Sequence, residues 1–316
     1  MSVLELKDLT KHFFLQDEGF FSKKTTTVHA VDGIKLEIKS EEILGLVGES
    51  GCGKTTVGKC ILRFYEPTSG SILFQGKDLS TIVEKELRKN ILMVFQDPYS
   101  SLTPTMTIKT LLMEPLQIHK MYEDDLEGRI SDLLTWVGLP ANYMYRYPHE
   151  LSGGEKQRIG IARALTVDPK LIVADEPIAS LDVSVKAKML NLIKDLQEKL
   201  GFSCLFISHD LGIIKNICDR VAVMYLGQIV ELAEAEEIFT HPRHPYTQAL
   251  ISANPVPRPD AKRKRIILKG EVPAPINPPE ACRFHPRCLQ AQPICSQKSP
   301  EYRELHKDHF VACHFA

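Results

Sequence analysis

The 316-residue chain is short of the features that assign a class on sight. It has no excess of either charge. With 39 basic and 40 acidic side chains the formal net charge is −1, so nothing global marks a nucleic-acid binder, and no nucleic-acid partner is expected. It has no apolar run near the ~18 residues of a membrane-spanning helix, and the opening "MSVLELKDLTKHFF" lacks a basic-then-apolar leader pattern. A cytoplasmic chain is expected, with any membrane role reached through a partner. No C-x₂-C pair and no heptad array occur, which removes the usual zinc-knuckle signal and a coiled-coil arm. In a reducing compartment the eight cysteines argue for thiols or metal ligands over disulfides. Four of them, Cys52, Cys60, Cys204 and Cys218, fall in apolar segments and read as small buried side chains.

What is present is a series of short apolar runs with little alternation: "EILGLVG" (42–48), "ILMVF" (91–95), "KLIVAD" (170–175), "CLFISH" (204–209) and "VAVMY" (221–225). Such runs fit strands buried on both faces of a mainly parallel sheet. Over 184–201, Val185, Met189, Leu192, Leu196 and Leu200 recur at helical spacing, with Gly201 where a C-cap belongs. Strand, helix, strand predicts an α/β fold. From about 103 to 165 the pattern is helical without a clear strand, which reads as a helical insertion. After residue 240 prolines accumulate and mark a linker and an appendix poor in regular structure, and the basic run Lys262 to Arg265 within it reads as a solvated loop face.

Three segments carry chemistry. "GESGCGKT" (48–55) fits G-x-x-x-x-G-K-[ST] after a strand and before a helix. Its glycines let backbone N–H groups curl around phosphates at a helix N-terminus, Lys54 would reach the β- and γ-phosphates, and Thr55 would ligate Mg²⁺. Gly48, Ser50, Gly51, Cys52, Gly53 and Thr56 complete the phosphate-binding set. "LIVADEP" (171–177) ends a strand in two carboxylates. Asp175 would hold magnesium, and Glu176 would orient or deprotonate the attacking water. "LSGGEKQR" (151–158) places Ser152, Gly153, Gly154 and Glu155 at a second helix N-terminus suited to an anion. One subunit does not need two cradles for one phosphate chain, so the second is expected to complete the site of a facing subunit.

With these motifs the chain resembles the ATP-binding subunits of ABC transporters over about residues 1–240. The resemblance implies a P-loop NTPase core with a helical subdomain (about 97–165) and an antiparallel β element, and two ATP molecules sandwiched between paired subunits. It implies further roles. Gln96 in "VFQDP" would sense magnesium and the attacking water, Asp182 in "ASLD" would lie on the loop that crosses the dimer interface, His209 in "FISHD" would contact the γ-phosphate, and Phe13 would stack on adenine. Glu155 stands where glutamine is commonest, and "IASLD" exchanges serine and alanine relative to close relatives. Ser152 lies 98 positions after Lys54 with no coiled coil between, and one cassette is present, which sets the chain apart from DNA-repair and translation relatives.

The tail narrows the resemblance. "HPRHPYTQALISANP" (241–255), "GEVPAPINPPEACRFHPRC" and "VACH" resemble the C-terminal extension (241–316) of oligopeptide and dipeptide importer ATPases, a subfamily that also includes nickel and oligosaccharide importers. That implies two different ATPase subunits beneath two transmembrane permeases, fed by an external or periplasmic solute-binding protein, at the cytoplasmic face of the membrane. The insert 14–33 resembles the second subunit of the pair. A soluble nucleotide-gated regulatory ATPase is the alternative. On their own, Cys282, Cys288, Cys295 and Cys313, separated by five, six and seventeen residues, suit either a tetrahedral zinc or a [4Fe–4S] cluster. The subfamily resemblance implies the [4Fe–4S] cluster, although Leu289 follows Cys288 where relatives usually have proline. His285, His309 and His314 nearby read as solvent-facing loop histidines, with the alternative that His314 beside Cys313 tunes or replaces a ligand.

Overall fold

The computed structural model describes residues 1–16, 25–97, 102–179, 181–253, 265–271 and 273–316. The tip of the insert (17–24), Ser180 of the crossing loop and the linker with Lys262, Arg263 and Lys264 lie outside them. The chain begins with β1 (Ser2–Gln16), β2 (Thr25–Lys39) and β3 (Ile43–Val47), then α1 (Lys54–Ile61), β4 (Ser69–Phe74) and β5 (Lys77–Asp78). There follow α2 (Glu84–Asn90), β6 (Ile91–Val94), α3 (Ile108–His119), α4 (Leu126–Trp136), α5 (Gly153–Ala164) and β7 (Leu171–Asp175). Next come α6 (Val183–Leu200), β8 (Ser203–Ser208), α7 (Leu211–Ile217), β9 (Arg220–Tyr225) and β10 (Gln228–Glu234). The last elements are α8 (Ala235–Thr240), α9 (Pro245–Ala253), β11 (Tyr302–His306) and β12 (His309–Ala312). No helix of the described residues is long and apolar enough to cross a membrane.

Two compact units form. One contains Met1–Val3, Ile38–Glu42 and Lys77–Phe206; the other contains Leu4–Glu37, Ile43–Gly76 and Ile207–Ala316. In the first, β6 and β7 pair in parallel with Val94 opposite Ala174, and β8 follows β7 in the sheet order. The expected helical insertion consists of α3, α4 and α5, whose buried residues include Leu111, Leu116, Ile130, Leu133 and Ile159. Arg129, buried on α4, pairs with Asp168 and lies over the rings of Tyr122 (4.6 Å) and Trp136 (4.7 Å), so its charge is both matched and stacked. The expected C-cap holds: Gly201 ends α6 in the left-handed region at φ 66°. The buried stripe of α6 differs in detail from the expectation. Met189, Ile193 and Leu196 are buried, while Val185, Leu192 and Leu200 are half-buried, so the buried stripe passes through Ile193 rather than Leu192.

In the other unit β1 lies between β2 and β4 and runs antiparallel to β4, with Leu4 opposite Phe74 and Leu6 opposite Ile72. Alternation makes that strand: Leu4 and Leu6 are buried while Lys7 is exposed. The second sheet of this unit runs β11-β12-β10-β9-β3. Every residue of β3 and β9 is buried, as their uninterrupted apolar runs require, and they pair in parallel with Leu46 opposite Ala222. The tail departs from the expectation of little regular structure. β11 and β12 form a hairpin, and β12 adds antiparallel to β10 with Leu232 opposite Phe310. Strands of four or five residues are weak local signals, and the partner of β12 lies nearly eighty positions upstream in the chain.

Glu231 on β10 anchors this arrangement. Its carboxylate is fully buried and accepts from the backbone N–H of Arg243 (2.7 Å) and His244 (2.9 Å), while His309 Nε2 lies 2.9 Å away. The "HPRHPY" segment and the final strand are therefore fastened to one buried anion. This corrects the expectation that His309 faces solvent; it is buried, because the carboxylate offsets its desolvation.

His244 is also enclosed. Its Nδ1 accepts from the N–H of Tyr246 (3.1 Å), and burial pushes its pKa down to about 4, against the raising influence of Glu231. The unfolded chain takes up a proton there near pH 6.5. Stability from this group is therefore full above pH 6.5 and is lost as the pH falls toward about 4, by up to about 3 kcal/mol. Urea unfolding at neutral pH and near pH 5 is expected to show that loss, and His244→Asn is expected to flatten the difference.

Candidate nucleotide site and cysteine cluster

Between β3 and α1 the loop 48–53 must turn within six residues, and two glycines permit it. Gly53 adopts φ 109°, and a Cβ there would run into the carbonyl oxygen of Ala30. A Cβ on Gly48 would strike the carbonyl oxygen of Met224. Lys54, buried at the first turn of α1, donates from Nζ to the carbonyls of Gly48 (2.8 Å) and Glu49 (3.0 Å), so its ammonium is held over the loop. Ser50, Gly51 and Thr55 are exposed at the loop's outer face, Thr56 is half-buried, and Cys52 is enclosed, with burial raising its thiol pKa. Phe13 lies on β1 in the same unit. Its ring meets Tyr65 edge-on at 5.2 Å, and Lys11 Nζ is 5.2 Å from its centroid. His209, in this unit as well, is exposed just after β8 and before Asp210, whose carboxylate caps α7 by accepting from Gly212 N–H (2.9 Å).

The other motif residues lie in the first unit. Gln96 is exposed just past the end of β6. Asp175 is the buried last residue of β7, and Glu176 follows half-buried at φ 47°, a left-handed conformation that a side chain adopts only where the surrounding chain enforces it. Asp182 is exposed at the N-cap of α6, with its carbonyl accepting from Val185 and Lys186 N–H (2.9 Å each). Ser152 and Gly153 are exposed at the start of α5, with Gly154 half-buried behind them. There Glu155 completes a capping box: its carboxylate accepts from Ser152 N–H (2.8 Å) and Ser152 Oγ (2.7 Å), and Tyr143 donates to its other oxygen (2.7 Å). The Ser152 hydroxyl holds its carboxyl below the usual range, so the charge that departs from the common glutamine is used to cap the helix.

The four tail cysteines, all free, line one cavity of about 20 Å³ together with His285 and His314. Cys295 is buried and the other three are half-buried. Desolvation raises the Cys282 thiol to about 11 and also raises Cys288 and Cys313. Cys282 N–H donates to Cys295 carbonyl (3.1 Å), and Cys288 N–H to Phe284 carbonyl (3.0 Å), so backbone bonds close the turns that carry the sulfurs. His285 Nδ1 donates to the Cys282 carbonyl (2.7 Å), and His314 bonds the Lys298 carbonyl (2.9 Å). Among the described residues, the group of three metal-capable side chains whose ligand atoms all lie within 4.8 Å of one another is His12, His29 and Asp32, and Asp32 is already paired with Arg283. No three of the four cysteine sulfurs lie within 4.8 Å of one another.

The sequence reading passed over Glu49, Tyr246, Arg283 and Arg287, although both arginines stand in "CRFHPRC". Arg287 forks onto Glu49 at 2.6 and 3.0 Å, and Tyr246 Oη accepts from Glu49 N–H at 2.9 Å.

A phosphate loop, a strand ending in paired carboxylates and a second capped helix N-terminus are the parts of an ABC-type ATPase, and the comparisons agree. The ABC transporter family profile matches residues 31–179. The chain also superposes on cbiO1 from Clostridium perfringens, part of the ABC transporter complex cbiONQ, with TM-score 0.66 and 29% identity, covering 76% of this chain and 91% of that one. Within that class the chain belongs to the oligopeptide transport ATP-binding proteins. It is 51% identical to AppF of Bacillus subtilis over 99% of this chain and 97% of the relative, and 46% identical to OppF of Salmonella typhimurium over 98% and 95%. The oligopeptide/dipeptide transporter C-terminal region matches residues 230–295.

Gly53→Ala tests the loop geometry. It is expected to lower stability by about 1–3 kcal/mol through the left-handed backbone alone. The contact with Ala30 should also abolish nucleotide binding, read by thermal unfolding with and without MgATP.

Proposed function

We propose that this chain is the second, F-type ATP-hydrolysing subunit of an importer of di- or oligopeptides. The observation that carries the reading is the left-handed, glycine-formed phosphate loop under a buried lysine, in a chain similar along its whole length to oligopeptide transport ATP-binding proteins. Residues 1–240 form the ATPase part and residues 241–316 the subfamily extension. Gly48, Ser50, Gly51, Cys52, Gly53, Lys54, Thr55 and Thr56 bind the phosphates, and Phe13 stacks on the adenine. Ser152, Gly153, Gly154 and Glu155, exposed at their helix start, complete the site of a facing subunit, and Asp182 lies at that interface.

The donors for magnesium are hard oxygens, Thr55 hydroxyl, Gln96 amide oxygen and Asp175 carboxylate, which fits the ion's preference. Magnesium held there would neutralise charge on the phosphates. Glu176 accepts the proton of the attacking water, its strained backbone holding the carboxylate at the strand end, and His209 donates toward the γ-phosphate. Gln96 and the helices 108–164 relay closure to two permease subunits. The assembly comprises a second homologous ATPase, those permeases and an external solute-binding protein, with this chain peripheral at the cytoplasmic face. Oligosaccharide or nickel import, or a soluble regulatory ATPase, would use the same engine.

The four cysteines fit a four-thiolate metal site: all are free, all line one cavity, and backbone bonds fix their turns. Zinc bound by four sulfurs at 2.3 Å would draw them to about 3.8 Å from one another. The resemblance to the oligopeptide importer extension favours a [4Fe–4S] cluster held by Cys282, Cys288, Cys295 and Cys313, with zinc as the alternative. Such a group would supply a covalent staple for a small appendix.

Two results test this reading. Glu176→Gln is expected to keep nucleotide affinity and lower ATP turnover by at least about a hundredfold in the assembled complex; undiminished hydrolysis would remove the base assignment. Anaerobically purified chain is expected to contain about four iron atoms and to absorb broadly in the visible, whereas zinc without iron would replace the cluster by a single ion.

A further inference from the structure

The extension reaches the phosphate loop directly. Glu49 is the one carboxylate within "GESGCGKT", and it is gripped at both ends of the residue. Its carboxylate accepts from the two terminal guanidinium nitrogens of Arg287, Nη1 at 2.6 Å and Nη2 at 3.0 Å, and its backbone N–H donates to Tyr246 Oη at 2.9 Å. The Arg287 side chain is only 7% exposed, which makes the fork a charge-assisted pair shielded from solvent on the arginine side. The support behind it is rigid. Tyr246 is fully buried; its ring packs 4.7 Å from Tyr225 and 5.4 Å from Phe284, and Phe284 meets Tyr225 edge-on at 5.2 Å. Arg287 stands between Phe284 and Cys288, its N–H bonded to the Phe284 carbonyl (3.0 Å). The neighbouring Arg283 ties the same turn to Asp32 and to the Leu226 carbonyl.

A phosphate loop works by presenting its backbone N–H groups in a fixed curl. In this chain the second residue of that curl is held from outside the ATPase core by a bidentate fork and an aromatic pillar. We infer that Arg287 is a positioning residue for ATP binding, and that the C-terminal extension sets nucleotide affinity by clamping Glu49. The inference rests on this geometry and holds whether the cysteines carry a cluster, zinc or no metal. Lysine could supply the charge at position 287 but not the two-pronged fork, so geometry as well as charge is at stake.

The test uses the full chain and the β,γ-imido analogue of ATP with Mg²⁺, read by titration calorimetry, with steady-state ATPase kinetics of the assembled complex beside it. Arg287→Met is expected to weaken analogue binding about tenfold and to raise the KM for ATP by a similar factor, with kcat at saturation nearly unchanged. Arg287→Lys is expected to recover part of the loss. Glu49→Gln combined with Arg287→Met should bind no more weakly than Arg287→Met alone, because both changes remove one interaction. Should Arg287→Met fold poorly by thermal unfolding, Arg287→Gln carries the same readings. A folded variant at position 287 with unaltered affinity and KM overturns the inference. So does a double variant whose losses add, since Arg287 would then act through something other than Glu49.

Discussion

A phosphate loop has to satisfy two opposed demands: it must be tightly curved, and it must keep donors turned outward for an anion. Here the curvature comes from backbone that only glycine accepts without strain, at Gly53, pressed against the Ala30 carbonyl. The flanking elements make that contact unavoidable. β3 is buried along its whole length and α1 starts immediately after Gly53, so the loop has no slack with which to relax. Lys54 then reaches back over the loop to two of its carbonyls, so its ammonium is fixed above the loop.

The same economy governs the extension, which has few apolar residues and relies on buried charge. Glu231 gathers Arg243, His244 and His309, Asp32 takes Arg283, and Glu49 takes Arg287. Each acid belongs to a strand or loop upstream and each partner to the tail, so directional contacts hold the tail alongside the buried rings of Tyr246 and Phe284. Directional contacts define position closely, which suits a segment that supports a loop where small displacements alter affinity.

In the first unit the analogous device is the capping box of α5. Glu155 binds both the N–H and the hydroxyl of Ser152 and so fixes the serine at the start of the helix. A glutamine there could fill part of that role without the charge. The carboxylate therefore trades some electrostatic attraction for a well-ordered helix start.

The sequence alone determined the α/β class, the five core strands, the helical stretch and the location of the motif residues, because those depend on local signals: uninterrupted apolar runs, helical spacing, a glycine pattern and caps such as Gly201. It determined the family for the same reason, since the motifs and the tail text are contiguous. What only the tertiary structure decided is everything that joins residues far apart. The pairing of β12 with β10, the burial of His309 and the fork from Arg287 to Glu49 link positions scores to hundreds apart, and no periodicity encodes them. An arginine between cysteines reads as solvated charge until folding places a carboxylate 2.6 Å from it, and that distance is a property of packing alone.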